Sequence, residues 1–386
     1  MVVKTFITLL FALMIPAGAF KLTQSSVQVE VVEAPPLHLP GGRDGTGRIH
    51  TIDSNSPVEW DSNGQLVVFT SSQQPFRSSG PSLSFLSWPA QPVFIEARAD
   101  VRGGQWIEAT YRSEDGRLYG WYHNEPPGLC GSSSRLTAPR IGALVSEDDG
   151  QTWRNLGIVI DAPAGSLNCS TQNYYFAGGN GDFSVVLDQT QEYFYFFIST
   201  YHRQFNEQGV AVARMSFEDL DDPRGKVWKW YNSDWSEPGL GGRITTTFPA
   251  MIDWHRSNAN AFWGAAVHFN TYLNRYVMLL NRAMDRNWAQ EGIYISYNGN
   301  LADPQGWSVP ERLPIYQNLG WYPEVIGVNP GETDKVLGQT GRLFMSGHSY
   351  WEISFYPTDN PDPVAVPIPQ RRPATDASTP PVRGNQ

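Results

Sequence analysis

Acidic side chains stand at the ends of several apolar segments of this chain. Asp53, Asp182 and Glu324 lie at or just before the start of such segments, and Glu125 closes the aromatic run Leu118–Tyr122. Two carboxyl groups that share a pocket can divide acid–base work, because one donates a proton while the other accepts one. The placement of these acidic residues therefore predicts proton-transfer chemistry, with Asp182 as base and Glu125 as acid. Asp53 is the second candidate for the base and Glu324 the second for the acid.

Each of the two leading carboxyls also has a purely structural interpretation. Asp182 follows Gly178-Gly179-Asn180-Gly181 and could cap that turn, while Glu125 precedes two prolines and could lie on a surface loop. Asp44, within a glycine-rich stretch, is interpreted as a turn residue. The sequence leaves these alternatives open.

Polar and aromatic residues also lie at the ends of these apolar segments, near the acidic residues. Arg and His bind hydroxyl or carboxylate groups, and Trp rings stack on apolar faces. This mixture suits a ligand such as a sugar, which has many hydroxyl groups and apolar ring faces. The predicted substrate-binding residues are His123, Tyr201, His202, Arg203, Trp263, His268, Arg282, Trp321 and His348.

A repeated unit must position these residues. Each unit has an apolar inner strand, a short turn, a very apolar second strand and an outer hairpin. The unit recurs every 65 to 80 residues or so, and its inner and second strands are predicted at 56–60 and 65–69, 106–111 and 118–122, 183–187 and 193–198, 265–269 and 276–280, and 324–328 and 342–346. Five such units predict an all-β fold, a five-bladed β-propeller of four-stranded antiparallel blades. In that fold the starts of inner strands and the ends of second strands meet around one pocket.

A short motif supports the same fold. Residues 146–153 read Ser-Glu-Asp-Asp-Gly-Gln-Thr-Trp, which resembles the Asp box of sialidase-type propellers. Its Asp can bond the amides of its own turn, its Gly provides a positive φ, and its Trp packs beneath the loop. The motif predicts a hairpin between the outer strands of the second blade, on the face away from the pocket.

Two longer segments carry a resemblance to a family of enzymes. The pattern from Tyr294-Ile295-Ser296 through Asp303-Pro304 to Trp307-Ser308, together with Gly181–Val186, resembles the five-bladed propellers of glycoside hydrolase families 43 and 32. Those families place acidic residues at the starts of inner strands as base, helper and acid. The resemblance implies a glycoside hydrolase that acts on a polysaccharide or oligosaccharide, with Asp182 at one of the acidic positions.

Other functions remain compatible with the same residues. His123, His202 and His348 occupy equivalent blade positions and, with Tyr201 and Arg282, could serve a polysaccharide lyase that abstracts a proton beside a uronate. The histidines could also bind a divalent metal. No cofactor is required for hydrolysis, although a calcium ion could occupy the channel. The fold could equally serve a non-catalytic glycan-binding protein.

Composition and net charge limit the classes of molecule that the protein is expected to bind. The chain has 386 residues, 13% of them aromatic and 17% charged, with 36 Gly, 29 Pro and a formal net charge of −10. Nucleic acids and anionic membranes attract basic surfaces, so neither is an expected partner. The expected partner is a saccharide, and the chain is expected to act as a monomer.

The N-terminal residues predict that the protein is exported. Residues 1–19 combine an early Lys, an apolar run and Ala17-Gly18-Ala19, as in a secretory signal peptide. Cys130 and Cys169 could then form a disulfide, with two buried thiols as the alternative, and Asn168 lies in an N-glycosylation sequon. A lead-in at 20–45, a propeller at 46–356 and a Pro-rich disordered tail at 357–386 complete the predicted organisation of an extracellular protein.

Overall fold

The computed structural model describes residues 27–43 and 46–358. The predicted signal peptide, Asp44 and nearly all of the predicted tail lie outside the described residues. Within those residues the fold is all-β, and its only helices are two short 3₁₀ turns, Phe205–Glu207 and Phe217–Asp219. No helix in this part of the chain is long and apolar enough to cross a membrane.

The strands are short and follow one another closely. They are β1 (Val27–His38), β2 (Val58–Trp60), β3 (Leu66–Ser71), β4 (Pro75–Gly80), β5 (Gln91–Pro92), β6 (Phe94–Ile95), β7 (Gly104–Arg112), β8 (Leu118–Glu125), β9 (Arg140–Ser146), β10 (Thr152–Ile160), β11 (Asn180–Leu187), β12 (Tyr193–Thr200), β13 (Gly209–Ser216), β14 (Val227–Tyr231), β15 (Asp234–Pro238), β16 (Thr246–Pro249), β17 (Ala261–Asn270), β18 (Arg275–Ala283), β19 (Gln290–Asn298), β20 (Glu311–Arg312), β21 (Pro323–Gly327), β22 (Val336–Leu337), β23 (Thr340–Met345) and β24 (His348–Pro357).

These strands form five sheets, which are the five blades of a propeller. From the centre outwards the blades contain β2-β3-β4-β5, β7-β8-β9-β10, β11-β12-β13-β14-β15, β17-β18-β19-β20 and β21-β23-β24-β1. Strands β6, β16 and β22 add to the edges of the second, third and fourth blades. The predicted five-bladed propeller is confirmed, and all ten predicted inner and second strands are present.

The second strands form the core because each is covered on both faces by neighbouring blades. All six residues of β3 and seven of the eight in β12 are buried. Trp121 of the second blade contacts Phe194 and Phe196 of the third, with ring centroids 5.2 and 5.6 Å apart. Packing between blades thus explains why these segments are apolar on both faces rather than alternating.

The last blade is completed by β1, the first strand of the described residues. Strand β1 pairs with β24 in antiparallel register from Val27 opposite Pro357 to His38 opposite His348. Within the described residues, the last blade thus includes β1 and Pro357, which lie outside the predicted propeller bounds of 46–356. The alternating Val27, Val29 and Val31 supply the apolar face that packs on this blade.

The turn at residues 146–153 has the hydrogen bonds predicted from its sequence. Asp148 Oδ1 accepts the amides of Gln151 and Thr152 at 3.1 and 2.9 Å, and Gly150 has φ +79°. Trp153 is 1% exposed and donates its indole N–H to the Gly150 carbonyl at 3.0 Å. Strand β9 starts at the pocket face and ends at this turn, so the turn lies on the opposite face.

We expect Gly150→Ala to destabilise the protein more than Gly116→Ala. Both glycines have positive φ, but a Cβ at Gly150 would lie 2.3 Å from the Phe69 ring, whereas a Cβ at Gly116 would meet nothing within 4 Å. The backbone conformation costs a non-glycine residue about 1–3 kcal/mol at either site. The clash should lower the free energy of unfolding by at least about 1 kcal/mol more. Urea denaturation of the two variants measures this difference, and equal losses would contradict the packing argument.

Candidate active site

The pocket lies where inner strands start and second strands end. Asp53 precedes β2, Asp182 lies near the start of β11, and Tyr322 precedes β21, while His123 and Glu125 end β8. Antiparallel pairing of each second strand with its inner strand brings these ends to one face of the propeller. Residues from the first, second, third and fifth blades therefore meet at the central axis.

Three buried titratable residues, which we call the acidic cluster, form the floor of this site. Glu108, His123 and Asp182 are each at most 3% exposed, and their ligating atoms lie within 4.8 Å of one another. His123 Nδ1 is 3.7 Å from Glu108 Oε1 and 3.9 Å from Asp182 Oδ1. Glu108 Oε2 accepts the backbone N–H of Phe183 at 2.8 Å, which ties the second blade to the third.

Two tyrosines hold the Asp182 carboxyl. The Tyr201 hydroxyl donates to Oδ2 at 2.5 Å and the Tyr322 hydroxyl to Oδ1 at 3.2 Å. Burial raises the pKa of both tyrosines well above 10, so both remain donors at neutral pH. Asp182 adopts φ +42°, a conformation that a non-glycine residue keeps only when its surroundings fix it. Both oxygens of the predicted base are thus already engaged inside the protein.

Burial and mutual repulsion favour protonated carboxyls in the acidic cluster. Burial raises the pKa of Glu108 to about 8, and the charge of Asp182 adds to this although His123 opposes it. Burial likewise raises the pKa of Asp182, while His123 and the tyrosine hydrogen bonds act against the shift. The cluster can therefore hold protons at neutral pH in a region that excludes water.

His123 connects the acidic cluster to Glu125. Its Nδ1 accepts the backbone N–H of Asp182 at 3.1 Å, so in the neutral ring the proton lies on Nε2, 3.3 Å from Glu125 Oε1. Burial lowers the pKa of His123, but the Glu125 hydrogen bond and the charges of Asp182 and Glu108 outweigh it and raise the pKa to about 9. The Asp182 amide favours the neutral ring and the carboxylates favour the imidazolium. In both forms Nε2 carries a proton that faces Glu125.

Two carboxyls of the site are open to solvent. Asp53 is exposed, and the Glu125 side chain is 31% exposed. Asp53 nevertheless lies in a concave surface where protein surrounds it. Burial, followed by repulsion from Asp182 and Glu125, raises its pKa to about 6. These two carboxyls can contact a ligand directly, whereas Glu108 and Asp182 cannot.

Aromatic rings form one wall of the site. Trp263 and Trp288 are buried with ring centroids 4.7 Å apart, and Tyr322 lies 5.6 Å from Trp263. Tyr175 is 37% exposed and contacts Trp288 edge-on at 5.2 Å, and the partly exposed Trp321 donates its indole N–H to the Trp288 carbonyl at 3.1 Å. Tyr175 and Trp321 therefore present ring surface at the rim.

The predicted residues His202 and Arg203 lie behind and beside this wall. His202 is fully buried, with Nδ1 3.0 Å from Glu207 Oε2 and Nε2 3.1 Å from the Asn180 side chain. It follows Tyr201 in the chain and therefore supports the tyrosine that holds Asp182. Arg203 is exposed, and its backbone N–H donates to the Ser166 carbonyl at 2.7 Å.

Two predicted residues lie within the propeller but outside the site. Glu324 lies on the fifth inner strand, two residues after Tyr322 and farther from the pocket. Its Oε2 accepts the Ser56 amide at 2.9 Å, and burial raises its pKa to about 8. His268 lies between the fourth and fifth blades with its ring 5.9 Å from Phe355, and burial lowers its pKa to about 3. Glu324 is 3% exposed, which does not favour direct contact with a ligand, and its role as the alternative acid stays a prediction.

Two further predicted residues lie elsewhere on the surface. Arg282 extends over the outer part of the fourth blade, where Nη1 donates to the Tyr294 hydroxyl at 2.9 Å and lies 3.8 Å from Glu291. His348 starts β24 and contacts His38 through a 2.7 Å hydrogen bond. Both side chains are bound by neighbours in their own blade, so the three predicted histidines do not form one group.

Glu108, Tyr322 and Trp288 are not among the residues predicted from the sequence. Glu108 carried a signal, because it is an acid in the middle of the buried run Trp106–Thr110 of an inner strand. A carboxyl at such a position must be hydrogen-bonded or functional. Trp288 carried none, since it lies in the loop between β18 and β19, where it adopts φ +58°.

The acidic cluster is also the place where a metal could bind. Its two carboxylates and one imidazole suit a transition metal better than calcium, which takes six to eight oxygen ligands. Nδ1 of His123, however, already accepts an amide N–H, and Glu108 Oε2 accepts another. These donors favour proton sharing over metal binding.

A disulfide joins two loops on the pocket face. Cys130, after β8, and Cys169, before β11, are bonded with their Cα atoms 5.4 Å apart, which confirms the predicted pairing. Asn168 is partly exposed beside the disulfide, and its glycosylation stays a prediction.

Comparison with known proteins agrees with the fold. No protein-family profile matches the chain, and no curated protein matches its sequence. The endo-arabinase of Bacteroides thetaiotaomicron has a similar structure, with a TM-score of 0.50 and 13% identity over 84% of this chain and 98% of that one. An exo-β-1,3-galactanase from Phanerochaete chrysosporium matches with a TM-score of 0.46 and 10% identity, over 84% of this chain and 64% of that one. An arabinanase from Bacillus subtilis matches with a TM-score of 0.44 and 11% identity, over 79% and 94%. The endo-arabinase comparison supports the five-bladed architecture seen here.

Proposed function

We propose that the chain is a glycoside hydrolase whose reaction takes place between Asp53 and Glu125. The observation that carries this proposal is that these two carboxyls are open to solvent above a buried acidic cluster and beside an aromatic wall. Glycoside hydrolysis requires a pair of carboxyls with different protonation states. The solved structures named above belong to enzymes that are named for arabinan or galactan, which fits this choice.

The roles follow from exposure and charge. Asp53, ionised above pH about 6, activates water or attacks the sugar. Glu125 donates a proton to the leaving oxygen, and the proton on His123 Nε2 can replace it. Asp182, which the sequence suggested as base, instead holds Tyr201, Tyr322 and the His123 ring in place. The glycosidic C–O bond breaks, the leaving oxygen gains the Glu125 proton, the sugar gains a hydroxyl from water, and the remaining proton of that water returns to the carboxyl pair.

The charge of the site favours an uncharged sugar. The groups that act most strongly on the Asp53 carboxyl include Asp182 and Glu125, and a uronate would add another negative charge. A lyase would also need a group that neutralises the uronate, and the three predicted histidines are separated. Neutral glycan hydrolysis is therefore favoured over β-elimination, and the exposed rings of Tyr175 and Trp321 would stack against the substrate.

A panel of arabinan, galactan, xylan, β-glucan and pectate tests the reaction. The purified protein is incubated with each polymer, and reducing ends and the ultraviolet absorbance of unsaturated uronate are measured. We expect reducing ends from a neutral polymer without that absorbance, and no product from the Asp53→Asn/Glu125→Gln double variant. Both signals from pectate would support a lyase, and binding with neither signal would support a lectin.

The pKa values predict a bell-shaped pH profile. Asp53 must be ionised to act as base, so kcat/KM should fall about tenfold per pH unit below about 6. Only the imidazolium form of His123 can give its Nε2 proton to Glu125, because the neutral ring would become an imidazolate. The pKa of His123 is about 9, so activity should fall again as the pH rises above that value. Measurement of kcat/KM from pH 4 to 10, with circular dichroism to verify folding, tests both limbs. Activity that stays constant down to pH 4 would contradict the role of Asp53.

Removal of metal ions should leave the activity unchanged. The hydrogen bond at His123 Nδ1 engages the ring nitrogen that faces both Glu108 and Asp182, and a metal at the acidic cluster would have to displace it. Dialysis against EDTA followed by assay in metal-free buffer measures this. A loss that calcium, manganese or zinc restores would show that the acidic cluster holds an ion.

We further propose that the protein is exported and acts as a monomer on an extracellular saccharide. The disulfide supports an oxidising compartment, and residues 1–19 carry the pattern of a signal peptide.

A further inference from the structure

A groove of about 510 Å³ lies on the fifth blade, away from the acidic cluster. We call it the blade-five groove. Its walls are β1, the start of β24 and the loop 313–320, and its lining includes Glu33, Tyr316, Gln317, Asn318 and Tyr350. Its volume is in the range of pockets that hold small ligands.

Two prolines open this groove. Strand β1 pairs with β24 up to Glu33 opposite Trp351 and resumes at Leu37 opposite Ser349, so β1 has two extra residues between these pairs. Pro35 and Pro36 lie in this bulge and have no N–H to donate to β24. Arg342 Nη2 donates to the Pro35 carbonyl at 2.7 Å and holds the bulge away from its neighbour.

The opposite wall presents an aromatic ring on a fixed loop. Leu313 and Ile315 are only 2% and 3% exposed and pack in the core of the last blades. Tyr316, the next residue of this loop, is 73% exposed. The Arg312 guanidinium lies 5.3 Å from the Tyr316 ring centroid, and Arg312 is itself paired with Glu291 at 3.2 Å. The loop is therefore anchored by Leu313 and Ile315, and the exposed ring lies beside a paired guanidinium.

Polar groups with free hydrogen-bonding capacity surround the ring. Within the described residues, the side chains of Gln317, Asn318 and Glu33 form no hydrogen bond or ion pair. Two amides offer donors and acceptors, and a carboxylate accepts from hydroxyl groups. The lining contains no Lys or Arg, so the groove does not favour an anionic ligand.

The groove lies on the same face as the active site. Strand β24 starts at that face, and the loop continues from Tyr316 to Trp321 at the rim over at most about 18 Å of chain. We infer that the blade-five groove is a remote subsite for a neutral polysaccharide, which binds a distal part of a polymer whose reacting end lies at Asp53 and Glu125. This inference rests on the proposed function for its ligand class.

Electrophoresis in gels that contain soluble arabinan, galactan, xylan or β-glucan tests the subsite. We expect Tyr316→Ala/Tyr350→Ala to weaken binding of the retarding polymer about tenfold while kcat and KM for a short aryl glycoside stay unchanged. Tyr272→Ala is the matched control, because Tyr272 is 38% exposed in the turn between β17 and β18 on the opposite face. Its retardation should equal that of the unmodified protein.

Equal retardation of the double variant and the unmodified protein would overturn the inference. Absence of retardation by every polymer, with binding of a synthetic peptide of residues 359–386 instead, would also overturn it and would identify the groove as a peptide site. Retardation that depends on Tyr316 without hydrolysis of any polymer would support the groove and reject the proposed enzyme. The two proposals therefore fail separately.

Discussion

Replacement of Asp53 by Asn should lower kcat about a thousandfold without loss of stability. An amide cannot accept the proton of water or attack a sugar, and Asp53 is the exposed carboxyl with a pKa raised to about 6. Because that folded-state pKa exceeds the ordinary value of 3.8, the folded protein binds the proton more tightly than the unfolded chain. Stability therefore falls as the pH rises from about 4 to 6, and removal of the charge at pH 7 should leave the melting temperature equal or higher.

Asp234→Asn is the matched control for this substitution. Asp234 is exposed in β15, at the outer edge of the third blade, and accepts the Trp235 amide at 2.8 Å. Steady-state kinetics and thermal denaturation of both variants separate catalysis from folding. A fully active Asp53→Asn enzyme would remove Asp53 from the mechanism. If Asp182→Asn alone abolished activity at normal stability, the base role would return to Asp182.

Replacement of Glu125 by Gln should lower activity according to the leaving group. Protonation of a sugar or alcohol oxygen is essential for its departure, so we expect a loss of about 100- to 1,000-fold on polymers. A dinitrophenyl leaving group needs no proton, and its loss should be less than about tenfold. Parallel kinetics on the polymer and on an aryl glycoside of the same sugar measure this ratio.

Glu114→Gln serves as the control on the same hairpin. Glu114 is exposed in the turn between β7 and β8. This turn leads into the start of β8, far from the pocket where β8 ends. It should be as active as the unmodified protein on both substrates. Equal losses for both leaving groups in Glu125→Gln would reject the acid role of Glu125.

Most of the fold was predictable because its signals are local. Each inner and second strand is an apolar run bounded by a turn, and the turn at Asp148 and Gly150 carries its geometry in its own side chains. The pairing of β1 with β24 was missed because its two partners lie more than 300 residues apart. Residues 20–45 were predicted only as a lead-in, and the alternation of Val27, Val29 and Val31 does not reveal where such a strand docks.

The site was predictable in its location but not in its protonation and exposure. Blade alignment placed Asp53, His123, Glu125 and Asp182 at one face, and the structure brings them together. That Asp182 is covered depends on Tyr201, which follows β12 of the same blade, and on Tyr322, which comes from the fifth blade. No spacing rule reveals that a side chain as distant in the chain as Tyr322 will cover this carboxyl.

Closure of the ring by β1 also determines the order in which the molecule can be completed. The first described strand has its only sheet partner in the last one, so during synthesis it has no place to dock until the final blade has emerged. Four blades can form from neighbouring segments, whereas the fifth waits for the whole chain. Since Val27 lies opposite Pro357, both ends of the described fold leave from one edge. A circular permutant opened at the exposed turn around Gly116 would make this blade from contiguous chain and would transfer the late pairing to β7 and β8 of the second blade.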